Sequence, residues 1–338
     1  MNLNLLWFVL VAVLYAGFFL LEGFDFGVGM LMPFLGKDDP ERRAILNTIG
    51  PHWDANEVWL ITAGGATFAA FPRWYAAMFS GLYPLLLILL LALIARGAAI
   101  EFRSRLAGVA WRRVWDSAIA AGSLLAAAML GAVFGNLLRG TPLDANGTVV
   151  GSVLAGFNLY SVICAAAAVG LFLLHGANFL GMKLDGEPGR RARKAARRLW
   201  CVALILAVIF LAATFLQTDV SDRLAYGSLL LPLGMILGLL LIGYCLWRAR
   251  DGWAFVFGGV TVVFYTAVFF IALYPRVMVS SLDPSFSLTI TTAASSEYTL
   301  RVMTIVASIF VPVVVLYQAW SYWIFRKRIG TDRGEEGY

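Results

Sequence analysis

The sequence predicts an all-α polytopic membrane protein of about nine transmembrane helices, and three observations carry that prediction. Of the 338 residues 61% are hydrophobic and only 14% charged, and the mean hydropathy is +0.81, a balance that belongs to chains dissolved in lipid. Apolar runs long enough to cross a bilayer recur from one end of the chain to the other. The basic residues gather in alternate connections between those runs. Soluble α/β architectures are thereby excluded.

Taken in order, the expected spans are residues 5–33, 50–72, 76–102, 115–139, 153–182, 197–217, 227–247, 252–275 and 299–325. The first has no basic leader and no small-residue cleavage site and runs past signal-peptide length, so it reads as a retained helix. Gly50-Pro51 opens the second, as a proline in a first turn should, and its later part, TAGGATFAAF, has the small residues of a close helix contact. The aromatic and basic strings WRRVWDS and WRARDGW precede the fourth and eighth spans. Their echo suggests two four-helix bundles related by pseudo-symmetry, residues 1–140 and 150–276, plus one extra helix. An outer loop, 277–298, then leads to the ninth helix and a cytoplasmic tail, 299–338, whose helix ends in an aromatic belt, YQAWSYWIF, and a basic stop.

Charge orients these spans. Twenty of the 26 Lys and Arg residues fall after helices one, three, five, seven and nine, including the run from Lys183 to Arg198, which faces anionic lipid; five fall in the other connections, and Arg96 lies within the third span. The positive-inside rule then puts the N-terminus outside and the C-terminus in the cytoplasm. Because topology accounts for the net charge of +6, no nucleic-acid partner is implied. Cys164, Cys201 and Cys245 sit singly in apolar runs without metal or disulfide spacing. No nucleotide-binding, zinc or nucleophile motif is present.

The chemistry concentrates in the first three spans. A charge at the centre of a membrane helix costs about 2.5 to 3.5 kcal/mol on insertion scales, yet Glu22 and Asp25 sit in the first span and His52, Asp54 and Glu57 open the second. Each acidic pair has i, i+3 spacing, so its members share a helix face. Both groups lie at the same depth on the inner side, with Arg96 and Glu101 on the third span as neighbours. Clustered carboxyls in a dry setting can take and pass protons, which makes Asp54, Glu57, Asp25, Glu22, His52 and Glu101 candidates for a proton pathway. The competing structural readings are ion pairing of Glu22 and Asp25 with Arg96, a helix-start role for His52, and solvation of Glu101. Trp53 and Trp59 suit packing. A proton-coupled secondary transporter and a scaffold subunit both fit this pattern too. His52 and His175 lie in separate helices without the pairing a haem needs, and His175 reads as a structural, hydrogen-bonded histidine.

The segments LEGFDFGVGM (21–30), ERRAILNTIGPHWDANEVWLITAGGATFAAFP (41–72), WAFVF (253–257), YTLRVMT (298–304) and YQAWSYW (317–323) resemble subunit II of cytochrome bd-type quinol oxidase. The resemblance runs from the first helix to the ninth. It implies a bacterial plasma-membrane terminal oxidase that oxidises quinol, reduces oxygen to water and builds a membrane potential without pumping. It places two b haems, haem d and the quinol-oxidising loop on subunit I, with no redox group ligated by this chain, and allows a bound quinone and a small accessory subunit. Asp54 then matches a cytoplasmic proton path at the subunit boundary, the acids of helix one match the family motif, and Trp59, with Trp53, faces the partner subunit.

Overall fold

The computed structural model describes residues 2–106, 108–220 and 230–330. Its helices are α1 (Leu3–Leu35), α2 (Asp39–Asn47), α3 (Trp53–Ala70), α4 (Pro72–Gly81), α5 (Tyr83–Phe102), α6 (Val109–Arg139), α7 (Leu159–Lys183), α8 (Gly186–Gln217), α9 (Leu230–Trp247), α10 (Asp251–Leu273) and α11 (Glu297–Ile324). Among the described residues eight of these are long and apolar enough to cross a membrane: α1 and α5 to α11.

Four expected boundaries move, each for a local reason. The expected second span is α3, of 18 residues, and it stands apart from those eight because Asp54, Asn56 and Glu57 occupy its first turns. The expected third span is two helices, since the chain turns at Leu82 and Pro84 starts α5 afresh. The fifth starts only at Leu159, where Asn158 and Ser161 form a reciprocal capping box. The basic stretch expected as a loop from Leu184 to Arg198 is the first part of α8, and several of its arginines bind protein acids: Arg191 donates to Glu41 at 2.5 Å and Arg193 lies 3.6 Å from Asp251. The start of the expected seventh span, Arg223 and Arg333 lie outside the described residues.

Helix α1 is the centre of the bundle and packs on α3, α6, α7 and α10. Its closest approach is to α7, where a Cβ on Gly27 would come 2.0 Å from the Phe172 carbonyl oxygen and 2.8 Å from the Gly176 Cα. Only glycine permits that contact, which brings two helix backbones together as lipid-embedded packing favours. By contrast a Cβ on Gly64 or Gly65 of α3 would meet nothing within 4 Å among the described residues, so the expected small-residue contact is confined there to the buried Ala63, Thr67 and Ala70.

The end of the molecule bearing Arg103, Arg112 and the start of α8 is its basic end. At the opposite end the 276–298 segment folds down as a two-stranded hairpin, β1 (Arg276–Met278) with β2 (Leu288–Thr289), over buried Val277 and Met278. Helix α11 lies against α1 and α3 with most of its surface exposed. It is tied at both ends. Trp7 Nε1 donates to the Leu300 carbonyl at 3.1 Å and to Thr304 Oγ1 at 3.0 Å. At the basic end the Lys183 ammonium donates to the carbonyls of Phe325 and Lys327, and Ile329 pairs with the backbone on either side of Leu184.

Candidate functional site

Three helices bring the acids together. Glu22 and Asp25 project from one face of α1, Glu57 from α3 and Arg96 from α5; Glu22, Asp25 and Arg96 are each 0% exposed. Gly122 allows this, because any Cβ there would meet Arg96 Cβ at 2.9 Å and push α6 away from α5. The Arg96 Nη1 donates to Glu57 Oε1 at 2.6 Å and lies 2.6 Å from Glu22 Oε1. Its guanidinium also sits 5.0 Å from the Phe26 ring centroid, a favourable cation–aromatic contact. Glu57 keeps 22% of its side chain exposed, so the cluster reaches the molecular surface through that residue.

Asp25 takes a different partner. Its Oδ2 accepts from Asn56 Nδ2 at 2.8 Å, and Asn56 Oδ1 in turn accepts from Gln318 Nε2 at 2.8 Å and from the Tyr322 hydroxyl at 3.1 Å. His52, buried at the start of α3, stacks on the Tyr322 ring with centroids 4.2 Å apart and planes at 1°. A continuous set of polar side chains thus runs from Glu57 through Arg96, Glu22 and Asp25 to the inward face of α11. Glu22 Oε2, Asp25 Oδ1, Arg96 Nε and Nη2, and His52 Nδ1 are buried and have no hydrogen-bond partner among the described residues. Orphaned polar atoms are costly and mark places that need explanation.

Of the six expected pathway residues, the structure gathers Glu22, Asp25 and Glu57 into one cluster and sets His52 at its edge. Asp54 and Glu101 are exposed on the surface of this chain. Trp53 packs over Gly97, and the Trp59 ring fills the notch at Gly17, where a Cβ would meet it at 2.5 Å; both remain partly exposed. The ion-pair reading holds for Glu22, which faces Arg96, and not for Asp25, which binds an amide. Asn56, Gln318, Tyr322 and Lys183 do not figure among the expected site residues. Asn56 and Gln318 are neutral amides in runs read for charge and apolarity, so only their isolation in apolar surroundings marks them.

The two histidines lie in separate elements, His52 at the start of α3 and His175 in α7. His175 Nε2 lies 3.2 Å from the Leu20 carbonyl, its ring stacks on Phe255 at 4.7 Å, and a Cβ on Gly258 would come 2.8 Å from Nδ1. The His175 Nδ1 is buried and has no hydrogen-bond partner among the described residues. The His52 ring is covered by Tyr322 on one face. Among the described residues no group of three or more His, Cys, Asp and Glu side chains is disposed to hold a metal ion.

The fold and this cluster define a multi-pass helical membrane protein with a charged, buried polar seam across α1, α3 and α5. The chain matches the family profile of cytochrome bd terminal oxidase subunit II over residues 3–325. It is 44% identical over 330 residues to the cytochrome bd ubiquinol oxidase subunit 2 of Bacillus subtilis, covering 97% of each chain. It is 37% identical over 361 residues to the cytochrome bd-I ubiquinol oxidase subunit 2 of Escherichia coli K12, covering 97% of this chain and 95% of the relative. A chain of the bd oxidase from Geobacillus thermodenitrificans shares the fold, with a TM-score of 0.78 at 20% identity over 97% of this chain. The protein belongs to the cytochrome bd terminal oxidase subunit II family, which sets the transporter alternative aside.

Proposed function

We propose that this chain serves as the proton-supplying second subunit of a quinol:oxygen oxidoreductase complex in the bacterial plasma membrane. Its partner is the haem-bearing subunit I, which holds two b haems and haem d and carries out the redox chemistry; quinol and oxygen are substrates of the complex, and a bound quinone and a small accessory subunit fit the same reading. The N-terminus faces outside and the C-terminus the cytoplasm, as the alternating basic charge requires.

The observation that carries this reading is the imbalance of the cluster: Glu22 and Glu57 share the Arg96 guanidinium, Asp25 beside them is held by the Asn56 amide instead, and carboxyl oxygens of Glu22 and Asp25 are left without hydrogen-bond partners among the described residues. An acid-rich cluster of this kind can hold and release a proton, whereas a balanced ion pair cannot do so without breaking. Protons enter from the basic, cytoplasmic end at Asp54 and Glu101 and pass to Glu57, one turn along α3 from Asp54. Arg96 holds Glu57 and Glu22 within reach of one another. Asp25 receives the proton from Glu22 on the same face of α1, and Asn56 keeps its carboxyl oriented. Asp54 and the exposed parts of Trp53 and Trp59 lie where subunit I would cover α3.

The test is oxygen consumption by the purified two-subunit complex carrying Asp54→Asn and, separately, Asp25→Asn. Both should slow turnover while the red haem d band and subunit stoichiometry stay unchanged. Full turnover in both variants removes the pathway. Loss of haem in either would instead assign that carboxylate to assembly.

A further inference from the structure

At the end of α6 opposite the basic end, the molecule holds a cavity of about 440 Å³ between the start of α5, the end of α6 and the end of α8. Its lining is polar and one-signed. Arg139, Thr141, Ser152, Gln217 and Ser281 contribute to its walls, and among the described residues no acidic side chain does. Arg139 is exposed, and no hydrogen bond, ion pair or ring contact engages its guanidinium among the described residues. Thr141 is 4% exposed, and its hydroxyl is buried without a hydrogen-bond partner. A cation in the last turn of α6 does complement the helix carbonyls, but that role needs neither a cavity nor an orphaned hydroxyl beside it. A planar guanidinium in one lining with hydroxyls and an amide, with no carboxylate among the described lining residues, matches a phosphate group.

The surroundings say what the phosphate is attached to. Leu154 and Phe157 flank the lining residues Ala155 and Gly156, Leu216 adjoins Gln217, and Leu159 opens α7 beside them; these are 63%, 45%, 84% and 68% exposed. They form an apolar shoulder around a polar hole, at the depth where a transmembrane helix ends. Acyl chains lie along such a shoulder while a headgroup enters the hole. We infer that this cavity is a binding site for the phosphate of a membrane phospholipid headgroup, with Arg139 as the anion ligand and Thr141 as a hydrogen-bond donor.

The experiment uses the intact two-subunit complex, extracted into detergent and examined by native mass spectrometry, with phosphatidylglycerol as the lipid probe and inorganic phosphate as the competitor. The unaltered complex should keep a tightly held phosphatidylglycerol through stepwise delipidation. Arg139→Gln should reduce that retention about tenfold or more, the loss expected for a charge-assisted hydrogen bond; Arg139→Lys should restore part of it, and Thr141→Val should reduce it less. If inorganic phosphate protects the cavity and no lipid is retained, the phosphate site stands with a soluble occupant. Retention that is unchanged in both Arg139→Gln and Thr141→Val, together with no effect of phosphate, overturns the proposal. Should Arg139→Gln fail to assemble, Gln217→Leu provides the same readout from the opposite wall.

Discussion

Two charged clusters lie on the basic half of this molecule, and they are built on opposite principles. Near the surface, Asp39 and Asp116 are surrounded by four arginines: Asp116 accepts from Arg42 at 2.8 Å and Arg103 at 2.5 Å, and Asp39 meets Arg103 at 2.9 Å, Arg112 at 2.7 Å and Arg43 at 3.6 Å. All four carboxylate oxygens accept charged partners, and the cluster fastens α2 to α5 and α6. Deeper in, Glu22 and Glu57 share Arg96, Asp25 is held by the Asn56 amide, and buried carboxyl oxygens are left over among the described residues. The first arrangement suits a structural tie. The second leaves carboxyl oxygens without partners among the described residues, whereas the first leaves an arginine nitrogen, Arg112 Nε, so that unmet acceptors, rather than burial or charge by themselves, distinguish the two clusters.

The comparison is broken or sharpened most directly by removing each central arginine. Arg96→Met leaves two buried acids with no cation and should destabilise the complex by about 3 to 5 kcal/mol, read as loss of assembled protein or a lowered Tm. Arg103→Met should cost less, because Asp116 retains Arg42 and Asp39 retains Arg112. Equal losses would mean that both clusters are braces.

Next in size are the carboxylates themselves. Asp25→Asn should lower oxygen consumption on the order of tenfold or more, as removal of a proton-transfer group does, while Asp116→Asn should leave turnover nearly unchanged and lower the Tm. Reversal of that pattern would exchange the roles assigned to the two clusters.

A smaller effect is expected at Lys183, whose ammonium holds the last carbonyls of α11 and so keeps Gln318 and Tyr322 against Asn56. Lys183→Met should cost about 1.5 to 3 kcal/mol of local stability, the range for hydrogen bonds from a charged donor. Faster amide exchange confined to residues 318–330 would report it. Unchanged exchange there would show that Ile329 pairing alone secures the helix.

The smallest effect is a pH dependence at Glu41, on α2, outside the spanning helices. Arg191 and the Lys37 amide donate to its carboxylate, and the hydrogen bond from Arg191 is the main force holding it below its ordinary range. A depressed folded-state value stabilises the protein above the unfolded-state value and ceases to do so as pH falls through the folded one. The Tm difference between the unaltered protein and Glu41→Gln should therefore be present at pH 6 and shrink as the medium approaches pH 3.5. A difference that persists at the acid end would remove the ion pair as its source.

The membrane class, the helical architecture and the acidic neighbourhood of α1, α3 and α5 were legible in residue order because each rests on a short-range quantity. Hydrophobic length, alternating charge and i, i+3 spacing are properties of contiguous segments. Helix boundaries were less legible where polar residues and prolines interrupt an apolar run, as at Asp54–Glu57 and Pro84. The basic stretch from Leu184 to Arg198 reads from its charge as a surface loop, whereas in the fold it is helical from Gly186 and pairs with Glu41 and Asp251.

The chain by itself thus determined which side chains are too polar for lipid and roughly how deep they lie. Only the folded bundle decided which of them meet: that Arg96 reaches Glu22 and Glu57 while Asp25 turns to Asn56, that α11 contributes Gln318 and Tyr322 from more than 260 positions away, and that Arg139 lines a cavity with no counter-ion among the described residues. Burial is a cost each residue carries locally, but its compensation comes from whichever partner the packing of separate helices delivers, and that choice has no trace in the spacing along the chain.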